Sequence, residues 1–394
     1  MIFIIKGDSV KEVYVITGAC GGIGKDIAKK MAKKGIVVIS DIDTEKLEKL
    51  NSEFEKEDIK VESCKCDITS KSDIKELIEL VKSLGHFKAL INAAGISETA
   101  NDVKTILEVN LVGTKLLMDS FYKIADSSVI INIASITGRM VPDSFLYNRL
   151  LINPLKKNFY KKMKLFIGND STAAYAFSKK GVLLLTEKEV KRWADKNSRI
   201  ISVSPGAIDT ELAKKASTKN SAVGVFVNNT PIKRYGLPKE VTGIVDFLVS
   251  DDSSFITGTD IVVDGGITSY MKYNDIFGQK KNEIPFVPLS ICYILLFLII
   301  PVFFRAYASE EVYREFMRYS IYFIFPMMTV LLSAICARRR IEPFIGMLPL
   351  IIFSLSALSI WSYIALPFGL IYGSLAFITN FVKASYDAEV RKNK

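Results

Sequence analysis

The sequence predicts an α/β protein, a doubly wound parallel sheet followed by an all-α transmembrane region. Three observations predict it. Short apolar runs alternate with amphipathic stretches through residue 270. The stretch "YVITGACGGIGKDIAKKM" at 14–31 passes from an apolar run through four glycines into a helical period. From Phe286 onward, long segments carry no charge.

The strands are expected at 12–17, 36–41, 60–65, 88–92, 128–134, 199–204 and 260–263. Runs such as "VIINIA" and "IISVS" are short, β-branched and continuously apolar, as suits strands buried on both faces. Helical periods occupy 22–34, 44–56, 71–84, 102–123, 173–195 and 238–250. Alternation of this kind gives a parallel sheet with helices on both faces, joined by right-handed crossovers. The stretch 136–172 breaks the rhythm as an insertion, and 145–166 within it is aromatic, aliphatic and lysine-rich.

After domain 1–270, a polar linker is expected over 271–285, then transmembrane helices over 286–382 and a tail over 383–394. The apolar runs are 288–304, 319–337 and 344–382. A bilayer core needs roughly 20 apolar residues in helix, so the last run holds two passes, giving four spans with three as the alternative. Arg338, Arg339 and Arg340 in a short loop place that loop inside. With four spans both chain ends are then inside, and an integral, multi-pass protein with its first domain facing the cytosol is expected.

The net charge of +10 owes much to the lysines at 156–164 and to those arginines. No zinc-finger spacing, basic-region heptad or aromatic RNA-binding signature accompanies it, so membrane lipid is the expected partner and no nucleic acid is. The five cysteines show no paired spacing, and packing thiols in a reducing compartment are expected. The sole histidine, His86, is expected in a surface turn before the fourth strand, which leaves no histidine for catalysis or metal binding.

The glycine turn has a physical reading. Gly18 permits a tight turn, Gly22 lets backbone approach a pyrophosphate, and Gly24 lets helix pack on strand. The helix that follows aims its free N–H groups at the same anion. Asp41, seventeen residues after Gly24, ends the second strand. A carboxylate there accepts hydrogen bonds from ribose hydroxyls and repels a 2′-phosphate. NAD is therefore favoured over NADP as cofactor.

The spacing "TGACGGIG" resembles the short-chain dehydrogenase/reductase family, and the resemblance continues in order over residues 12 to 270. "CDIT" at 66–69 is similar to the family's adenine-contact motif, "NAAG" at 92–95 to its turn after strand four, and "VNLVG" supplies Asn110. "INIASITG" supplies Ser135 and "YAFSK" is the YxxxK motif, with Tyr175 and Lys179. "SPGAIDT" resembles the nicotinamide-side loop, and "ITGTDIVVDGG" the final strand. The resemblance implies a Rossmann-type fold and a catalytic set of Asn110, Ser135, Tyr175 and Lys179. It implies a cofactor set of Thr17, Gly18, Gly22, Ile23, Gly24, Asp41, Asp67, Ile68, Asn92, Ala93, Gly95, Tyr175, Lys179, Pro205, Gly206, Ile208 and Thr210. Forty residues separate Ser135 from Tyr175, far more than the family's usual spacing, and the loop between Asn92 and Asn110 is short. Those departures resemble the branch containing 3α-hydroxysteroid dehydrogenase/carbonyl reductase.

Tyr175 and Lys179 lie four apart and share a helix face. The ammonium is expected to lower the phenol from its ordinary value of about 10, making Tyr175 a general acid or base. The resemblance gives Ser135 the orienting of the substrate oxygen, Lys179 the holding of the nicotinamide ribose, and Asn110 a water in a proton relay. The expected function is a membrane-anchored oxidoreductase that moves a hydride between NAD(H) and a hydrophobic alcohol or ketone, steroid-like or lipid-derived. The alternatives are a 3-oxoacyl or sugar-nucleotide reductase, or a non-catalytic NAD(H)-binding membrane sensor or scaffold. A homo-oligomer is left open. The insertion reads as a substrate lid, as a basic surface lying on anionic lipid, or as a helical pair that covers the sheet or blocks the family's usual dimer contact.

Overall fold

The computed structural model describes residues 11–98, 102–210, 226–274 and 300–319. The chain divides into two compact units, Met1–Ile276 and Phe277–Lys394. The first holds a seven-stranded sheet in the order β3-β2-β1-β4-β5-β6-β7. Its strands are β1 (Glu12–Thr17), β2 (Ile36–Asp41), β3 (Glu62–Lys65), β4 (His86–Asn92), β5 (Val129–Ile133), β6 (Arg199–Pro205) and β7 (Asp260–Val263), and every neighbouring pair is parallel.

The continuous apolar runs follow from cores on both sides. Val13 and Val15 of β1 enter one cluster, and Tyr14 and Ile16 enter the other. A strand alternates its side chains between faces, so a strand covered twice has no polar face to show. The first cluster is closed by α3 (Lys71–Leu84), α5 (Thr114–Phe121) and α9 (Ser171–Ala194), through Ile74, Leu77, Leu117 and Trp193. The second is closed by α1 (Gly22–Met31), α2 (Thr44–Lys56) and α10 (Pro238–Val249), through Ile27, Leu50 and Val245. Asp43, Ser70 and Asp170 cap α2, α3 and α9 by accepting from backbone N–H groups of the first turn.

The expected helix 102–123 is not uniform. It is α4 (Val103–Leu107), a π-turn over Glu108–Gly113, then α5 and a 3₁₀ turn at Tyr122–Ile124. The π-turn falls on "EVNLVG" and carries Asn110. Insertions of this kind re-aim a side chain inside a helix, often at functional sites. His86 is the first residue of β4 and half-buried, not a surface-turn residue, because its backbone N–H donates to Lys11 O at the amino ends of β1 and β4.

The insertion folds as α6 (Ile136–Met140), α7 (Phe145–Leu151) and α8 (Phe159–Ile167). α11 (Ile267–Tyr273) carries helix into the stretch expected as linker. In the second unit, α12 (Ile300–Tyr307) and α13 (Glu310–Tyr319) are described, with Glu310 joining Arg305 at 2.6 Å and Arg314 at 3.1 Å. Among the described residues no helix is long and apolar enough to cross a membrane. Apart from residues 300–304 and Tyr319, the expected spans lie outside the described residues, as do the 338–340 arginines and the 383–394 tail.

Candidate active site

The strand order reverses between β1 and β4. Open parallel sheets bind ligands at such a switch point, beyond the carboxyl ends of the strands. Gly18 leaves β1 there with φ +65°. A Cβ on Gly18 would lie 2.6 Å from the backbone of Ala94, and one on Gly24 would lie 2.3 Å from Gly18 O. These two glycines let β1, the start of α1 and the 93–95 turn crowd together. At Gly22 a Cβ would meet Thr210 Cγ2 at 2.9 Å, so the loop after β6 closes on the turn. Gly21, at the N-cap of α1, supplies no side-chain cap. The first amides of α1 are thus left for an anion, and the residues present fit a dinucleotide. Gly18→Ala is expected to weaken NADH binding at least ~tenfold and to lower the melting temperature, because both the left-handed backbone and the backbone clash oppose it. Fluorescence titration and thermal melting measure the two effects.

The other expected cofactor residues divide by what their side chains do. Asp41 faces the turn: its Oδ2 accepts from Cys20 N at 3.0 Å and its Oδ1 from Asp43 N at 3.3 Å. Beside it, burial and the Asp41 charge push the Cys20 thiol up to about 12. Thr17 and Asn92 are buried and spent on the scaffold. The Thr17 hydroxyl donates to Asn92 Oδ1 at 2.8 Å, and Asn92 Nδ2 donates to Thr114 Oγ1 at 3.0 Å. Asp67 Oδ1 accepts from Thr69 N and Thr69 Oγ1, and Ile68 is buried against Gly113. Pro205 ends β6, a Cβ on Gly206 would meet Asp264 at 2.9 Å, and Ile208 is buried, its backbone bridged to Gly236. Ile23 and Ala93 are half-buried.

The expected catalytic residues come from four elements. Asn110 lies buried in the π-turn. Its Oδ1 accepts from Ile96 N at 2.9 Å, and its Nδ2 donates to Ile96 O at 3.0 Å and Ser178 Oγ at 3.2 Å. Its carbonyl accepts from the Thr114 hydroxyl at 2.8 Å. Asn110 therefore fixes the 94–96 segment to α9, a positioning role. Ser135 follows β5 by two residues and caps α6, its Oγ accepting from Thr137 N at 3.2 Å. Asp170 starts α9, which places Tyr175 in its first turns and Lys179 one turn further. Lys179 is buried and donates to Ile133 O at 2.9 Å, and its ammonium lies 5.9 Å from the Tyr175 ring centre. A Cβ on Gly95 would sit 3.5 Å from Lys179 Nζ and 3.2 Å from Asn110 Oδ1. The glycine turn, the 93–95 turn, Asn110 and Lys179 thus form one contiguous site.

The electrostatics correct one expectation. The Tyr175 phenol is not lowered by Lys179. Burial, aided by the charge of half-buried Glu98, pushes it up to about 12, while the neighbouring Ser135 hydroxyl pulls the other way. Burial also pushes the Lys179 ammonium down to about 8. Desolvation outweighs a charge whose ammonium is turned toward the Ile133 carbonyl. At neutral pH Tyr175 is a neutral phenol and so a proton donor.

Sequence reading missed Ser178, Thr114, Thr137 and Glu98. Two had a signal in spacing: Thr114 lies four residues after Asn110, and Ser178 three after Tyr175, whose carbonyl accepts from it at 2.7 Å. A separate open cleft, lined in part by Lys29, Lys33, Ile59 and Lys60, lies at the amino ends of the strands and contains none of these residues.

Comparison with known proteins agrees with this geometry. Residues 12–147 match the family model "short chain dehydrogenase", and residues 163–268 match "Enoyl-(Acyl carrier protein) reductase". The chain is 32% identical over 269 residues to a 3-oxoacyl-[acyl-carrier-protein] reductase of Thermotoga maritima, covering 65% of this chain and 97% of that one. It is 32% identical over 273 residues to a cyclohexanol dehydrogenase of an Acinetobacter species, covering 66% and 95%. Among solved structures, levodione reductase has the same fold, with a TM-score of 0.54 at 24% identity over 66% of this chain and 98% of that one.

Proposed function

The chain belongs to the short-chain dehydrogenase/reductase family, and on that premise we propose that it is a membrane-anchored oxidoreductase moving a hydride between NAD(H) and a hydrophobic alcohol or ketone. The observation that carries the chemical part is the approach of Tyr175, Ser135 and Lys179 beside the 93–95 turn, which itself packs on Gly18.

A bound nicotinamide supplies or accepts the hydride. The remaining work belongs to this chain. Ser135 orients the substrate oxygen. Tyr175, neutral at pH 7, donates its proton to a carbonyl oxygen as negative charge develops there. Lys179 then faces a phenolate, and its ammonium stabilises that charge. Asn110 keeps the 94–96 segment and α9 in register. Since burial pushes the Lys179 ammonium down to about 8, the rate of ketone reduction is expected to fall as pH rises through about 8. A pH–rate profile measured at saturating NADH checks this.

NAD(H) is favoured by Asp41. Its carboxylate is held at the end of β2 against the glycine turn, and the lysine near it, Lys46, is paired with Asp43 at 2.6 Å. Asp41→Ser is expected to reduce the preference for NADH over NADPH by about tenfold, since the change removes roughly 1–2 kcal/mol of charge-assisted bonding and repulsion. Parallel kcat/KM measurements with the two cofactors test it.

Anchoring rests on the uncharged runs after Phe286, and a lipophilic substrate, steroid-like or lipid-derived, fits an enzyme held at a bilayer. Similarity to a 3-oxoacyl-[acyl-carrier-protein] reductase favours a second reading, reduction of a 3-oxoacyl chain. Purified full-length protein in detergent, offered NADH with hydrophobic ketones and 3-oxoacyl thioesters, separates the two. Turnover with neither class overturns both.

A further inference from the structure

The insertion buries one side of α8 and presents the other. Phe159, Met163 and Ile167 recur at the helical period and enter the core. Leu165 projects from the opposite side, 83% exposed, and Lys161 and Lys162 flank it on the same face. Leu155, on the turn before α8, is also exposed, and so is Phe145, the first residue of α7, by 77%. Isolated exposed apolar side chains are ordinary, but Leu155 adjoins exposed Lys156 and Lys157 in the chain, and Leu165 adjoins exposed Lys164.

Residues 144–168 contain no carboxylate. The flanking acids are already engaged: Asp143 pairs with Lys180 at 2.7 Å, and Asp170 caps α9. Among the described residues, none of the five lysines from 156 to 164 has an ion-pair partner. An unbalanced positive face with leucine projecting from it is the pattern of a helix lying in a bilayer interface, where lysines meet headgroups and apolar side chains enter the acyl boundary. A nucleic acid would use the charge and leave the leucines in water.

We propose that the α7–α8 insertion is a docking surface for an anionic lipid bilayer, separate from the uncharged runs after Phe286. Its position suits the chemistry. Tyr147 of α7 packs edge-on against Phe177, two residues after Tyr175, with ring centres 5.0 Å apart. A surface held on lipid by this insertion therefore sits next to the helix that carries the phenol. The inference stands on residues 144–168 and does not depend on the reading of the substrate.

Residues 1–276 suit the test. They contain the whole described sheet and both cores, and the two family-model matches, over 12–147 and 163–268, lie within them. The experiment is flotation of this fragment with phosphatidylcholine vesicles, with or without about one third phosphatidylglycerol. The fragment is expected to float only with the anionic vesicles and to be released at about 0.5 M salt. A Lys157→Glu, Lys161→Glu, Lys164→Glu variant is expected to bind at least ~tenfold more weakly. A Leu155→Ser, Leu165→Ser variant, with its charge intact, is expected to lose severalfold. All five positions are exposed, and unchanged melting and NADH binding confirm the fold. Equal flotation with neutral vesicles, full binding by the leucine variant, or capture of a DNA duplex unaffected by the leucine changes overturns the proposal. Lost flotation with intact NADH oxidation strikes only this surface; lost oxidation with intact flotation strikes only the enzymatic reading.

Discussion

Tyr175→Phe is expected to lower kcat for ketone reduction by about 10²–10⁴-fold while NADH still binds. The change removes one oxygen and leaves the ring, so its packing against the core beside Lys179 survives. What disappears is the proton donor. Because burial holds the phenol up to about 12, it is protonated throughout the neutral range, and the ammonium of neighbouring Lys179 is aimed at Ile133 O. Retained binding with lost turnover separates a chemical role from a structural one. If cofactor-dependent function survives in the phenylalanine variant, the protein is a nucleotide-responsive sensor or scaffold instead.

Lys179→Met is expected to abolish turnover and to stabilise the fold at pH 7. A buried ammonium with one carbonyl acceptor is costly, and methionine fills a similar volume without the charge. The folded value of about 8 lies below the unfolded value of about 10.5. The unfolded chain therefore binds more protons between the two, and stability rises with pH across that window. Below about pH 8 the full penalty is present, on the order of 3 kcal/mol. Denaturant melts from pH 6 to 10 check this: wild type gains stability above about pH 8, and the methionine variant loses that component of the slope. Retention of so costly a charge beside the phenol is what a catalytic lysine requires.

The sheet was legible because its signals are local. β1 and β2 lie at 12–17 and 36–41 as their apolar runs indicate, and Asp43 and Ser70 begin helices where capping residues stand. The π-turn at Asn110 was not legible, because the helices on either side of it, Val103–Leu107 and Thr114–Phe121, are too short for a shift in apolar phase to stand out. The roles of Thr17 and Asn92 were legible only in part. Their motif places them by the turn, but that their side chains bond each other instead of facing outward depends on the pairing of β1 with β4. The direction of the Tyr175 shift was misread for a related reason. Spacing shows that Lys179 is near, and not that its ammonium is aimed at Ile133 O in a desolvated site.

The most direct test of hydride chemistry at Tyr175 is isotope transfer. NADH carrying deuterium at both C4 positions is incubated with the full-length protein and a hydrophobic ketone, and the alcohol is analysed by mass spectrometry. A single deuterium on the carbinol carbon, absent with Tyr175→Phe, is the expected result. Tight NADH binding with no label in any product, from ketones or 3-oxoacyl thioesters alike, would contradict it.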